Sequence, residues 1–185
     1  APGTQMNASF AFTQPLEGNV AFASQSGSLG EAILSHAREM RLGLSSFVSL
    51  GNATDVTGED LIDPWVEDER PKVMLLYPVH LPDAGRRLDS ALRATRGARK
   101  PILAVKSGRT RAGAAAASSH TGAMANHDRL TDALFDRCGI VRVDEIADLF
   151  TVAKAFSSQP LPAGPRVAIL TNAGGPGIQA TDATV

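Results

Sequence analysis

The sequence predicts an α/β protein built on a doubly wound parallel sheet, and three observations lead there. Short runs of Val, Ile, Leu and Ala recur along the chain, each followed by a stretch with helical periodicity. Hydrophobic residues make up 43% of the 185 positions but aromatics only 5%, so the core must be aliphatic, as suits strands covered by helices. Two glycine-rich turns, Ser24-Gln25-Ser26-Gly27-Ser28 and Thr171-Asn172-Ala173-Gly174-Gly175-Pro176-Gly177, each lie between an apolar run and a helix start. Backbone N–H groups bind phosphate at such places.

In chain order, Val20–Ala23 reads as a buried strand. Leu29 to Arg41 reads as a helix with Ile33, Leu34 and Ala37 on one face, stopped by Gly43. Phe47–Leu50 is the second strand, ended by Gly51-Asn52. Residues 60–68 lean helical, and Pro64 keeps that element short. Val73–Tyr77 is the third strand, Asp83 caps a helix through Arg96, and Ile102–Val105 is the fourth strand. Asp128–Cys138 is a helix stopped by Gly139, and Ile140–Val143 is the fifth strand. Asp144 caps a last helix whose Ile146, Leu149, Phe150 and Ala153 form one apolar face. Five strands separated by helices predict a flavodoxin-like sheet rather than a full dinucleotide fold.

Residues 1–17 form an extended N-terminal segment, and 18–158 the flavodoxin-like domain. Residues 159–165, Gln-Pro-Leu-Pro-Ala-Gly-Pro, are a stiff linker. Beyond it, Val167–Leu170 reads as a strand, so 166–185 is expected to be the first strand, loop and helix of a second, similar domain. The chain opens without methionine and stops at Val185 within a helical pattern, so it is expected to be a piece of a longer protein.

Eighteen basic against nineteen acidic residues leave a net charge of −1, with no basic field for nucleic acid or a membrane surface. A single cysteine, Cys138, permits no internal disulfide and fits a reducing cytoplasm. No apolar run reaches the length of a membrane span. His36 and His127 have no companions at metal-ligand spacing, so no metal site is expected.

The chemistry converges on Ser118-Ser119-His120-Thr121-Gly122-Ala123. The small residues from Lys106-Ser107-Gly108 through Ala117 read as a loop that lets a bulky reactant reach one imidazole. A histidine near neutral pH offers a ring nitrogen as nucleophile. Ser26, Gly27 and Ser28 start one helix, and Gly174, Gly175 and Gly177 start another. Each helix N-terminus presents about half a positive charge and open N–H groups. Either turn also reads as simple capping or turn chemistry. Asn52 and Asp55 follow the second strand on the ligand side of such sheets, or simply build a turn. Lys106 and Ser107 end the strand leading to His120, within reach of a phosphate, although a solvated lysine is the commoner reading.

In order and spacing, the motifs at 24–28, 119–123 and 172–177 resemble the succinyl-CoA synthetase superfamily, and within it the NDP-forming acyl-CoA synthetases of the ADP-forming acetyl-CoA synthetase type. The resemblance runs from about Gly18 to the end. It implies that His120 carries a phosphoryl group between an acyl phosphate and a nucleotide. Ser26, Gly27, Ser28, Ser119, Thr121, Gly122 and the three glycines of the later turn would hold the phosphate. It also implies a CoA-binding Rossmann domain and an ATP-grasp portion in the same protein or a partner subunit, in a homo- or hetero-oligomer. A small-molecule acyl substrate, CoA, ATP or ADP, phosphate and Mg would serve the whole protein, with no cofactor held by this chain itself.

One position departs from the pattern. Where the family usually carries a glutamate that orients the histidine, this chain has Leu76-Tyr77-Pro78-Val79-His80, with Val79 at that place. Its loss brings in a second reading, the synthetase-like sensor or scaffold part of a protein lysine acetyltransferase. A third reading, a plain flavodoxin-like nucleotide or FMN module, explains the sheet but not the coincidence of three phosphate-type elements.

Overall fold

The computed structural model describes residues 1–9, 11–79, 88–121 and 128–184, apart from the side chains of Leu88 and residues 118–121. His80, Asp83, Gly122, Ala123 and His127, singled out in the sequence, lie outside the described residues.

Five parallel strands form one sheet: β1 (Glu17–Ser24), β2 (Leu44–Ser49), β3 (Val73–Tyr77), β4 (Ile102–Ala104) and β5 (Val141–Arg142), in the order β2-β1-β3-β4-β5. This is the flavodoxin-like order, in which the connections reverse direction between β1 and β3 and leave a crevice at their carboxyl ends. The central strands are apolar on both faces because helices cover both. On one face Val20, Phe22, Val73, Leu75 and Leu103 pack on Ile33, Leu34 and Ala37 of α1 (Gly30–Glu39) and on Leu149, Phe150 and Ala153 of α6 (Ile146–Ser158). On the other, Ala21, Ala23, Met74, Leu76 and Ile102 meet α2 (Ile62–Glu67), α3 (Leu88–Leu92) with its π-helical continuation Arg93–Gly97, and α5 (Asp128–Cys138). Phe22 anchors the first layer, edge-on to Phe47 at 5.8 Å and to Phe150 at 6.0 Å.

Several local expectations change. Arg41 (φ 54°), not Gly43, takes the left-handed backbone after α1. Gly43 is glycine because a Cβ there would lie 2.4 Å from the Glu17 carbonyl, and one on Gly18 would lie 2.5 Å from the Gly43 backbone. Two chain segments pass with no room for a side chain. Asp144 does not cap α6; Glu145 holds the cap position without a side-chain hydrogen bond, and Asp144 pairs instead with Arg109. A reciprocal cap precedes α2: Thr57 N and Oγ1 donate to Asp60 Oδ2 at 2.9 and 2.8 Å. Residues 167–170 form no strand and are exposed, as a strand without a neighbouring strand must be. α7 (Gly174–Asp182) follows and buries none of its residues.

The small-residue stretch is the largest correction. Instead of a loop, it folds as α4 (Arg111–Thr121), and His120 lies in its last turn. Alanine is the best helix former, and Ala112 and Ala114–Ala117 supply five of them around a single glycine. Thr110 starts the helix by accepting a hydrogen bond from Gly113 N at 3.0 Å. Gly108 lies in ordinary contact with Gly113, Ala114 and Ala117, and its positive φ of 76° is what favours glycine there. The small side chains therefore seat α4 against the exit of β4.

Candidate functional site

The crevice at the carboxyl ends of β1 and β3 is built from their last residues. Ser24, fully buried, folds the next turn on itself: its Oγ accepts from Ser26 N and donates to Ser26 O, both at 3.1 Å. Gln25 N donates to Tyr77 O at 3.0 Å, and its side-chain Oε1 accepts a hydrogen bond from the backbone N–H of Val79. The two strand ends that bound the crevice are thus tied across it by one side chain.

Ser26, Gly27 and Ser28 run from half-buried to exposed, and the Ser26 and Ser28 hydroxyls lie 3.4 Å apart. They do not cap α1. Leu29 holds the cap position and no side chain bonds there; Gly27 O instead receives Gly30 N at 3.1 Å. The first turn of α1 is capped by backbone alone and lies beside the Ser26–Ser28 hydroxyl pair, an arrangement that suits an anion. A cavity of about 680 Å³ opens next to this turn, lined by Ala8, Ala11, Gly27, Ser28 and Phe47 among others. The N-terminal segment is strapped to the same helix, because the Glu31 carboxylate accepts from Phe12 N at 2.9 Å, from Thr13 N at 3.2 Å and from the Thr13 hydroxyl. These bonds, the hydroxyl first, hold the Glu31 carboxyl below its ordinary value against the effect of burial.

The exit of β4 stands beside β3. Ser107 N donates to Pro78 O at 3.3 Å, and Ser107 Oγ and Tyr77 OH are hydrogen-bonded at 2.7 Å. Lys106 is not the solvated lysine the sequence favours. It is 2% exposed, and its Nζ donates to Ser107 O at 3.0 Å. Burial lowers its ammonium below the ordinary lysine value, opposed by the nearby negative charge of Asp128.

The remaining expected residues are distributed unevenly. Asn52 and Asp55 are exposed in the turn after the edge strand β2, with β1 and β3 between them and Lys106. Ser119, His120 and Thr121 lie on the helical backbone of α4, downstream of the Lys106–Gly108 exit. Gly174 and Gly175 are exposed and Gly177 half-buried at the start of α7, whose cap residue Ala173 has no side-chain bond. Thr171 Oγ1 accepts Ala173 N at 3.0 Å and orders that turn. The structure therefore brings the 24–28 turn, the end of β3 and the Lys106-Ser107 exit together. No described hydrogen bond joins α7 to them. His36 has a structural role, edge-on to Phe150 at 5.0 Å. Among the described residues no cluster of three or more His, Cys, Asp or Glu is placed to hold a metal, and no helix is long and apolar enough to cross a membrane.

Residues 17–156 match the family model described as the succinyl-CoA ligase like flavodoxin domain. The chain belongs to that family. This succinyl-CoA ligase-like domain is 39% identical to the alpha subunit of acetate–CoA ligase [ADP-forming] I from Pyrococcus furiosus, over 97% of the chain and 38% of that protein. It is likewise 39% identical to 4-hydroxybutyrate–CoA ligase [ADP-forming] of Nitrosopumilus maritimus, over 97% of the chain and 26% of that protein. Its backbone superposes with a TM-score of 0.90 and 41% identity on the dinucleotide-forming acetyl-coenzyme A synthetase 1 of Ca. Korarchaeum cryptofilum, solved with phosphate and ADP, covering 97% of this chain and 39% of that one. The chain thus spans between a quarter and two fifths of these relatives.

Gln25 and Tyr77 line the crevice and are not singled out by the sequence, whereas Ser107, the hydrogen-bond partner of Tyr77, is among the expected residues. Gln25 stands inside the quoted Ser-Gln-Ser-Gly-Ser motif, directly after a buried strand, and that position is the signal that could have found it.

Proposed function

We propose that this chain is the phosphohistidine-bearing part of an NDP-forming acyl-CoA synthetase, with His120 as the carrier. The whole protein would convert acyl-CoA, phosphate and NDP into acid, CoA and NTP, in either direction. At His120 an imidazole nitrogen attacks the phosphorus of an acyl phosphate, the bond from phosphorus to the acyl oxygen breaks, and the carboxylate leaves. The phosphoryl group then passes to the terminal phosphate oxygen of the NDP, and the nitrogen regains its lone pair. The observation that supports this most is positional. Ser-His-Thr ends a helix that leaves the same sheet edge as the uncapped Ser26-Gly27-Ser28 turn, in a domain with 39% identity to ADP-forming CoA ligases over nearly its full length.

On this reading Ser26, Gly27 and Ser28 supply one half of a phosphate clamp, and the turn at Gly174-Gly175-Pro176-Gly177, opening a second flavodoxin-like unit after the 159–165 linker, supplies the other. Ser119, Thr121 and Gly122 flank the phosphoryl group, and Lys106 and Ser107 back it from β4. CoA and the nucleotide with its Mg bind on a Rossmann domain and an ATP-grasp portion outside this chain, in a cytoplasmic oligomer. The test is phosphoryl labelling of the full-length protein from NTP, with His120→Ala as the control.

A second reading has one observation in its favour. Val79 offers no carboxylate to orient the histidine, and its amide is already engaged by Gln25. A synthetase-like domain that has lost turnover, serving as a sensor in a protein lysine acetyltransferase, would look like this at Val79. The same labelling experiment separates the two readings.

A further inference from the structure

We infer that the backbone N–H of Gly108 is a phosphate donor, set in place by the buried ammonium of Lys106. The inference rests on the proposed use of this sheet edge for phosphoryl chemistry, to which it adds a ligand. Lys106 is 2% exposed, and among the described residues its Nζ makes one hydrogen bond, to Ser107 O at 3.0 Å. No described carboxylate forms an ion pair with it. The charge of Asp128 is felt there, but both of its oxygens are turned to arginines. Oδ1 accepts from Arg142 Nη2 at 2.7 Å, and Oδ2 lies 3.9 Å from Arg109 Nε. Asp132 and Asp144 are engaged in the same way, by Arg142 and Arg109. The positive charge of Arg142 opposes that of the lysine.

Burying an ammonium without a counter-ion is unfavourable, and an apolar side chain of similar length would serve the fold as well or better. A charge retained under those conditions marks a site of function. The peptide that Lys106 holds points to the occupant. The C=O and N–H of a trans peptide face opposite ways across its plane. The Ser107 carbonyl is turned in to the lysine, so the Gly108 N–H of the same peptide is turned away from it. That N–H has no hydrogen-bond partner among the described residues, and Gly108 is half-buried. A positive charge on the carbonyl polarises the peptide and makes its N–H a stronger donor. The peptide is also fixed in place, because Ser107 N donates to Pro78 O at 3.3 Å. Beside it, Ser107 Oγ and Tyr77 OH share one hydrogen bond at 2.7 Å. That bond uses one of the pair's hydroxyl protons and leaves the other for an acceptor. Phosphate oxygens accept from such donors, and the anion supplies the charge that the ammonium lacks.

The experiment uses the full-length protein with its other domains or subunits, and saturating ADP to fill the nucleotide site. Binding of inorganic phosphate is measured by calorimetry in wild type, Lys106→Met and Lys106→Gln, beside the thermal unfolding midpoint. Amide hydrogen exchange across residues 107–110 is followed with and without phosphate. Loss of the charge-assisted contact should weaken phosphate binding at least about tenfold in Lys106→Met. The unfolding midpoint of that variant should equal or exceed that of wild type, which a merely structural lysine would not allow. Lys106→Gln can still donate to the Ser107 carbonyl but carries no charge, and its affinity should fall between the other two. Phosphate should slow exchange at 107–110 in wild type and leave it unchanged in Lys106→Met. Wild-type phosphate affinity in Lys106→Met would overturn the assignment. So would losses that follow the folded fraction, a Lys106→Gln as weak as Lys106→Met, or wild-type exchange at 107–110 that ignores phosphate. Phosphohistidine labelling of the wild type is scored separately. Unlabelled wild type that shows these phosphate effects removes the carrier reading and keeps this inference; labelled wild type with unaffected variants removes this inference alone.

Discussion

Gln25 spans the crevice between β1 and β3 and takes the backbone N–H of Val79 on its side-chain oxygen. The position where the related synthetases are expected to offer a carboxylate to the histidine is thus fixed by its backbone, while its side chain is apolar. A glutamate at 79 would enter a backbone already held by Gln25.

Val79→Glu in the full-length protein is accordingly expected to raise the rate of phosphohistidine formation severalfold, because a carboxylate on the imidazole fixes its tautomer and stabilises its charged form. Gln25→Leu should act in the opposite sense and leave the Val79 N–H unpaired. It should cost about 0.5–1.5 kcal/mol of stability, the net worth of one hydrogen bond at a half-buried position. Chemical denaturation of the 185-residue chain measures the second effect, and stability equal to wild type would show the bond to be dispensable.

The approach of Gly18 and Gly43 gives a prediction about folding alone. A Cβ on Gly18 would sit 2.5 Å from the backbone of Gly43, so Gly18→Ala must move one chain segment off the other. A loss of about 1–3 kcal/mol is expected, as for other overpacked sites. Gly27→Ala is the counterpart: its Cβ would meet only Ser49 Oγ at 3.7 Å, an ordinary contact. Folding should be unchanged, so any loss of phosphate affinity in that variant comes from the site and not from the fold. Comparing the two unfolding curves decides the matter.

Lys106 gives a pH dependence. Burial lowers its ammonium below the ordinary 10.5, so in the window just beneath that value the unfolded chain binds more protons than the folded one. Stability contributed by this group therefore rises with pH through that window. Lys106→Met should remove the rise and be neutral or stabilising at neutral pH, since a buried charge is exchanged for an apolar chain of similar length. Urea midpoints measured between neutral and alkaline pH test this; a destabilised variant that keeps the wild-type slope would contradict it.

Much of this molecule is legible in its sequence, for a physical reason. β3 and β4 are apolar on both faces, which leaves an unbroken run to read, and α5 and α6 carry an apolar stripe at helical spacing. α4 offers no such contrast. Between Ala112 and Ala117 polar and apolar faces scarcely differ, so periodicity is silent and only alanine's helix propensity speaks. The candidate site divides in the same way. The Ser24–Ser28 turn follows a buried strand directly and shows itself as a motif. The burial of Lys106, the reach of Gln25 to Val79 and the meeting of Arg109, Asp128 and Arg142 depend on which strands become neighbours. Sheet order sets these contacts, and no local window of sequence contains it.

The central claim is that His120 carries the phosphoryl group, and labelling tests it most directly. Incubation of the full-length protein with γ-labelled NTP and magnesium is expected to give a phosphoprotein that is labile in acid and stable in base. His120→Ala should abolish that label, and His120→Asn should abolish it while nearly keeping shape and polarity. Both variants should fold, since none of residues 111–117 of α4 is buried in the core. Wild-type protein that binds nucleotide yet takes no such label, or a label that survives His120→Ala, would contradict the account.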